Sequence, residues 1–244
     1  MDYEFVTYET GSDGVATITL NRPPVNAFNR QMSGELVLAL DRFAHAEDER
    51  VLILTGAGRV FSTGEDLKNI NLVASDFQMQ KYAREALRDY HDIVRAILRT
   101  GKPIVAMLNG VAAGAGMSIA LACDYRYAEN SKSFVPAFES MGLIPDSGMI
   151  LTLTRLKEKS TILKYPTVLD AFVESLAQAS PLAYALSKEI RNKALLQELN
   201  ENVFPWEIRA QTACLQSDYF KQKARAFLGK QKEAKEVMSH GRKA

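Results

Sequence analysis

The chain has 244 residues, 47% hydrophobic and 24% charged, enough apolar material to bury the core of one large domain. Its 30 Lys and Arg against 29 Asp and Glu leave a formal charge of +1, so no overall field favours nucleic acid or an anionic membrane surface. The N-terminal "MDYEFVTYE" is acidic and no run of about 18 apolar residues occurs, so the expectation is a cytoplasmic protein, neither exported nor membrane-spanning.

In chain order, "GVATITL" (14–20) alternates, is rich in β-branched residues and is stopped by Pro23 and Pro24, which predicts a strand. "RQMSGELVLALDRFAHAEDE" repeats Met32, Leu36, Leu40 and Phe43 on one helical face. "RVLILTG" (50–56) is a continuous apolar run ending in glycine, as a strand covered on both faces would be. A long amphipathic helix over "DFQMQKYAREALRDYHDIVRAILRT" stops at Gly101 and Pro103. "PIVAMLNG" (103–110) predicts a second buried strand, "AGMSIALACD" a helix with a small-residue start, and "YRYAENS" (125–131) a third strand. Strand and helix alternate, which implies parallel pairing through right-handed crossovers and an α/β core. From Pro166 onward the pattern is helical, dividing the chain into a core over 1–165 and a helical region over 166–244. Within that region Leu195, Leu196, Leu199, Phe204 and Trp206 are too apolar a set for free solution, and are expected to pack against the core and other subunits.

Cys123 and Cys214 lack the CxxC spacing of a metal site and are read as reduced thiols. His45, His91 and His240 each lie in a charged helical or terminal stretch and are read as solvated surface side chains, so no metal site is expected.

Two predicted strands run into glycine-rich loops that open helices, "LTGAGRVFSTGEDLK" (54–68) and "LNGVAAGAGMS" (108–118). Unpaired N–H groups and the positive dipole end at such a loop suit negative charge developing on an oxygen. Gly114 and Gly116 admit two readings: close approach of a substrate carbonyl to the backbone, or close packing of helix on sheet. "GAGMSI" is a poor dinucleotide fingerprint, because Ile119 stands where the third glycine should be.

The segments "ITLNRPPVNAFN", "VFSTGEDL", "KPIVAMLNGVAAGAGMSIALACDYRYA" and "FVPAFESMGLIPDSG", in that order, resemble the crotonase superfamily, the enoyl-CoA hydratase/isomerase group. The resemblance implies a spiral of ββα turns, a helical C-terminal region that assembles homotrimers or hexamers, and acyl-CoA thioester substrates. Coenzyme A would be part of the substrate, with no separate cofactor. By motif the resemblance assigns the thioester oxygen to two N–H donors, that of Glu65 after Gly64 and that of Ala115 after Gly114. It assigns Arg22, Lys68 and Lys230 to the coenzyme A portion.

Departures from the pattern bear on the reaction. Family hydratases place a water with two glutamates, and the corresponding positions here are Ser118 and Phe138. Neither side chain can serve as a general base at neutral pH. Glu139 stands next to the second position, but a shift of one residue points a side chain elsewhere; it is read as a surface glutamate or as a catalytic group. Asp146 in "GLIPDSG" (142–148) is also open to two readings. It caps the next helix through backbone N–H groups, or, as similarity to the phenylacetate-pathway isomerase branch implies, it moves a proton between carbons of an enoyl-CoA. Isomerisation needs one carboxylate and no water. After "LTLTRL" (151–156) the family pattern has a helix and loop of about thirty residues where this chain has only "KEKSTILKYPT", so the wall of the acyl pocket is not readable. Three functions stand as expectations: an enoyl-CoA isomerase using Asp146, an enoyl-CoA hydratase or other crotonase-type enzyme, and a non-catalytic acyl-CoA-binding or assembly subunit.

Overall fold

The apolar runs of the first two thirds become strands of two layers. The computed structural model describes residues 3–11, 13–128, 134–135, 137–156, 162–163 and 166–240. A six-stranded sheet has the order β1 (Val6–Thr10), β2 (Val15–Leu20), β3 (Val51–Gly56), β5 (Ile104–Leu108), β7 (Tyr125–Ala128) and β9 (Ile162–Leu163). A smaller sheet has the order β4 (Val60–Ser62), β6 (Val111–Ala113) and β8 (Phe134–Val135). Strand β1, which the sequence pattern had not marked, is antiparallel to β2; all other pairings are parallel, with Leu52 opposite Ile104 and Val105 opposite Tyr125. The third predicted strand forms over 125–128, and its residues 129–131 lie outside the described residues.

Each turn of the chain lays one strand in each sheet and closes with a helix. The series is β3, β4 and α2 (Asp76–Arg99); β5, β6 and α3 (Ala115–Ala122); β7, β8 and α4 (Met149–Leu156). The first turn uses β2, a bridge from Phe28 to Glu65, and α1 (Arg30–His45). This is the expected ββα spiral. Local signals start the helices: the Asn29 side chain accepts from the Met32 N–H at 2.8 Å, and Ser75 and Gln78 form a capping box at the head of α2.

The large sheet is covered on both faces, as the unbroken apolar run of β3 requires. Leu52 and Leu54 join the main core with Phe28, Phe43, Ile93 and Ile97, while Val51 and Val105 face the other way beneath Val173 of α5 (Pro166–Gln178). Helix α6 (Pro181–Glu198) docks through the buried Lys188, whose ammonium lies 2.6 Å from Asp124 and 2.9 Å from the Lys102 carbonyl. A π-helical turn, Leu199–Val203, leads to α7 (Phe204–Gln216) and then α8 (Asp218–His240).

The apolar set of the C-terminal region divides. Leu195, Leu199 and Phe204 are buried in the main core, whereas Trp206 is 66% exposed. The reading of the histidines holds for His45, which is exposed, and fails for His91, which is buried in α2. His91 stands four residues after Leu87 and three before Val94, so helical spacing puts it on the core face despite its charged neighbours. The side chain of His240 lies outside the described residues. Both cysteines are unpaired, and burial pushes the Cys123 thiol up to about 12. No helix among the described residues is long and apolar enough to cross a membrane.

Candidate active site

The two glycine-rich loops touch through their backbones. Gly64 has φ +82°, and a Cβ there would stand 2.8 Å from the Ala113 carbonyl oxygen and 2.9 Å from the Ala115 nitrogen. Only glycine satisfies both conditions. Around Gly64 most polar groups are already paired. Its N–H donates to Ser62 Oγ (3.1 Å), which donates to the Asn26 carbonyl (2.7 Å); the Phe28 N–H donates to the Gly64 carbonyl (2.7 Å), and the Asp66 N–H to the Phe28 carbonyl (2.9 Å). The N–H of Glu65, between these ties, finds no acceptor among the described residues. Nor does that of Ala115, the first residue of α3, where a helix has no internal acceptor to offer. The packing reading of the small residues also holds, at Gly116, where a Cβ would fall 2.7 Å from the Ser62 carbonyl oxygen.

The Glu65 side chain runs from this loop to α2, where its two oxygens accept the hydroxyls of Tyr82 and Tyr90. Burial pushes its carboxyl up to about 7, the tyrosine hydrogen bonds pull down, and the Asp146 charge adds to the rise. It lines a cavity of about 300 Å³ with Asn29, Arg30, Asn69, Tyr82 and Tyr90.

Asp146 is buried, 5% exposed, on the turn before α4. Its Oδ1 accepts from Ser147 Oγ and its Oδ2 from Gln211 Nε2, both at 2.9 Å. The capping reading is therefore corrected: the partners of the carboxylate are side chains, because left-handed Ser147 (φ +58°) and Gly148 (φ +74°) turn the backbone away from it. The Asp146 carbonyl accepts from Ser118 Oγ at 3.0 Å, tying α3 to the turn. Burial pushes the Asp146 carboxyl up to about 7, with the hydrogen bonds of Ser147 and Gln211 acting downward and the Glu207 charge upward.

Helix α7 closes the turn from outside. Glu207 accepts the Gly148 N–H (2.9 Å) on Oε1 and lies 3.0 Å from His91 Nε2 on Oε2. Gln211 accepts the Ile144 N–H (3.1 Å) and donates to the Ile144 carbonyl (3.3 Å) as well as to Asp146. The sequence reading missed His91, Glu207, Gln211, Tyr82 and Tyr90. The one available signal was the Glu207 and Gln211 pair four apart in "FPWEIRAQTACL", on the side of α7 that also buries Phe204 and Leu215.

The remaining residues singled out from sequence are placed as follows. Phe138 is buried and Glu139 exposed, on a one-turn 3-10 helix beside an apolar hollow of about 320 Å³ formed with Pro145, Met149, Ile150 and Leu153. The Arg22 guanidinium is committed to Asp66 (2.9 Å) and the Ala27 carbonyl (2.9 Å), an internal tie of the first loop rather than a free cation. Lys68 and Lys230 are exposed. Among the described residues no cluster of His, Cys, Asp and Glu could hold a metal ion.

Comparison with known proteins agrees with this architecture. A family model described as enoyl-CoA hydratase/isomerase matches residues 10–161. The chain is 41% identical to 1,2-epoxyphenylacetyl-CoA isomerase of Escherichia coli over 59% of its own length and 55% of that protein's, so it spans little more than half of that relative. It is 31% identical to trans-2-decenoyl-[acyl-carrier-protein] isomerase of Streptococcus mutans, covering 83% of this chain and 75% of that one. The crystal structure of an enoyl-CoA hydratase from Mycobacterium avium subsp. paratuberculosis superposes with a TM-score of 0.75 at 28% identity, over 92% of this chain and 99% of the other. With the spiral, the paired loops and the family model all in register, the chain belongs to the enoyl-CoA hydratase/isomerase family, the crotonase superfamily.

Proposed function

We propose that the protein is an enoyl-CoA isomerase that works through a thioester enolate. The observation that carries this reading is a buried carboxylate, Asp146, on a turn tied to the helix that begins at Ala115, with Ser118 and Phe138 where a water-placing pair of acids would stand. The N–H groups of Glu65 and Ala115 donate to the thioester oxygen. Asp146 then removes a proton from C2 of a 3-enoyl thioester, and the electron pair moves onto that oxygen. Collapse of the dienolate returns the proton at C4 and leaves the double bond between C2 and C3. Main-chain donors that stabilise the charge as it develops acidify C2, so a carboxylate of modest basicity suffices.

The apolar hollow beside Pro145 and Met149 suits the acyl chain, and Lys68 and Lys230 suit the phosphates of coenzyme A. Arg22 contributes indirectly by holding Asp66 in the first loop. A homotrimer or hexamer, which the family resemblance implies, would give exposed Trp206 a surface to cover it, and the composition fits a cytoplasmic site of action.

Asp146→Asn is expected to keep affinity for 3-hexenoyl-CoA within a few-fold and to lower isomerisation by about 10²- to 10⁴-fold. Isomerisation at the parental rate in that variant would overturn the reading. Hydration of 2-hexenoyl-CoA that survives it would favour a hydratase, and binding without any turnover in the parent an acyl-CoA-binding subunit.

A further inference from the structure

Two side chains one helical turn apart on α7 reach the turn that carries the reactive carboxylate. Gln211 donates to Asp146 Oδ2 at 2.9 Å while its own amide is clamped at both ends by the Ile144 backbone. It cannot swing away without breaking two further hydrogen bonds. Glu207 accepts the N–H of Gly148, two residues past Asp146, and is itself fixed by His91. His91 stacks on Phe204 with centroids 3.8 Å apart, so both ends of the bridge are packed.

We propose that Glu207 and Gln211 are positioning residues for Asp146, Gln211 by aiming its carboxylate and Glu207 by holding its turn and placing a second negative charge behind it. The proposal rests on the reading of Asp146 as the base. The two residues act in opposite electrostatic senses. A hydrogen bond to the ionised carboxylate favours the charged form, whereas a buried neighbouring carboxylate disfavours it. The other groups around the pair are Glu65 and Tyr90, which feel the Asp146 charge, and Asp92 and Arg95, which flank His91. Burial, with Arg95 adding to it, drives His91 down to about 3, and its Nε2 lies 3.0 Å from Glu207 Oε2, within hydrogen-bond reach.

The test compares Glu207→Gln and Gln211→Met with Asp146→Asn, following isomerisation of 3-hexenoyl-CoA and exchange of its C2 protons in deuterium oxide against pH. Glu207→Gln keeps an acceptor for Gly148 and, after a tautomer change in His91, a partner for the ring. It is expected to move the acidic limb of the rate profile down by about one pH unit. Gln211→Met is expected to move that limb up and to lower kcat about ten- to hundred-fold, the size of a lost hydrogen bond to a charged group, with KM within a few-fold. The carbon-13 signal of the Asp146 carboxyl, assigned by its loss in Asp146→Asn, reads the same opposite shifts without turnover. Exchange lost in Asp146→Asn, with limb and signal unmoved or moved together in the two α7 variants, overturns the proposal alone. Exchange that survives in Asp146→Asn removes the base reading and the proposal with it. If Gln211→Met does not fold, an unmoved limb and signal in Glu207→Gln suffice to overturn it.

Discussion

At the scale of residues, three buried carboxyls share one direction of shift. Burial pushes Glu65, Asp146 and Glu207 from ordinary values of 4.5, 3.8 and 4.5 to about 7 each. Between those limits the folded chain holds protons that the unfolded chain has released, so stability falls as pH rises. His91 opposes this, because its value drops from 6.5 to about 3 and the unfolded chain takes up a proton that the fold refuses. Three groups against one leave an expected net loss of stability on going from about pH 5 to about pH 7.5, while on the proposed reading the rate is expected to rise over the upper part of that range as Asp146 ionises. Melting temperatures across this interval check the sign, and a midpoint that climbs steadily would contradict the shifts. Gly64 and Gly114 were legible in the sequence because motif and backbone demand coincide there, both having positive φ; Asp146 was singled out by its motif alone. His91, Glu207 and Gln211 were not, since single polar residues on amphipathic helices declare a partner only once the helices have packed.

At the scale of elements, the contact between α3 and β4 decides whether the first loop is in place. Gly116 leaves no room for a side chain: a Cβ would lie within 2.9 Å of three Ser62 atoms, and Ser62 Oγ holds both the Gly64 N–H and the Asn26 carbonyl. Gly116→Ala is therefore expected to lower stability by about 1–3 kcal/mol, as overpacking does, and to weaken thioester binding through the displaced loop. An unchanged urea midpoint would show that α3 can shift at no cost. The parallel strands and long helices were readable because alternation and helical period are strong over such lengths. Strand β1 escaped because its residues run from buried Val6 to exposed Glu9 and Thr10, and its pairing with β2 depends on register rather than on apolar content.

At the scale of the whole molecule, the helices after Pro166 combine a buried face with an open one. Leu182, Leu186 and Ile190 on α6 are 70%, 49% and 77% exposed, against the buried Leu195 and Lys188 of the same helix. Apolar side chains on a four-residue spacing form a stripe that a lone subunit would leave in water. Light scattering at micromolar concentration is expected to report a multiple of the 27.1 kDa chain, and Ile190→Glu to reduce it towards one copy. A single copy in the unaltered protein would contradict the assembly reading. The hydrogen bond between Asp146 and Gln211 joins groups 65 positions apart in the chain. During synthesis the spiral emerges first, and the Asp146 carboxyl lacks its Gln211 partner until α7 has left the ribosome and packed. On the proposed reading, a nascent chain carries both oxyanion donors before its base has been aimed.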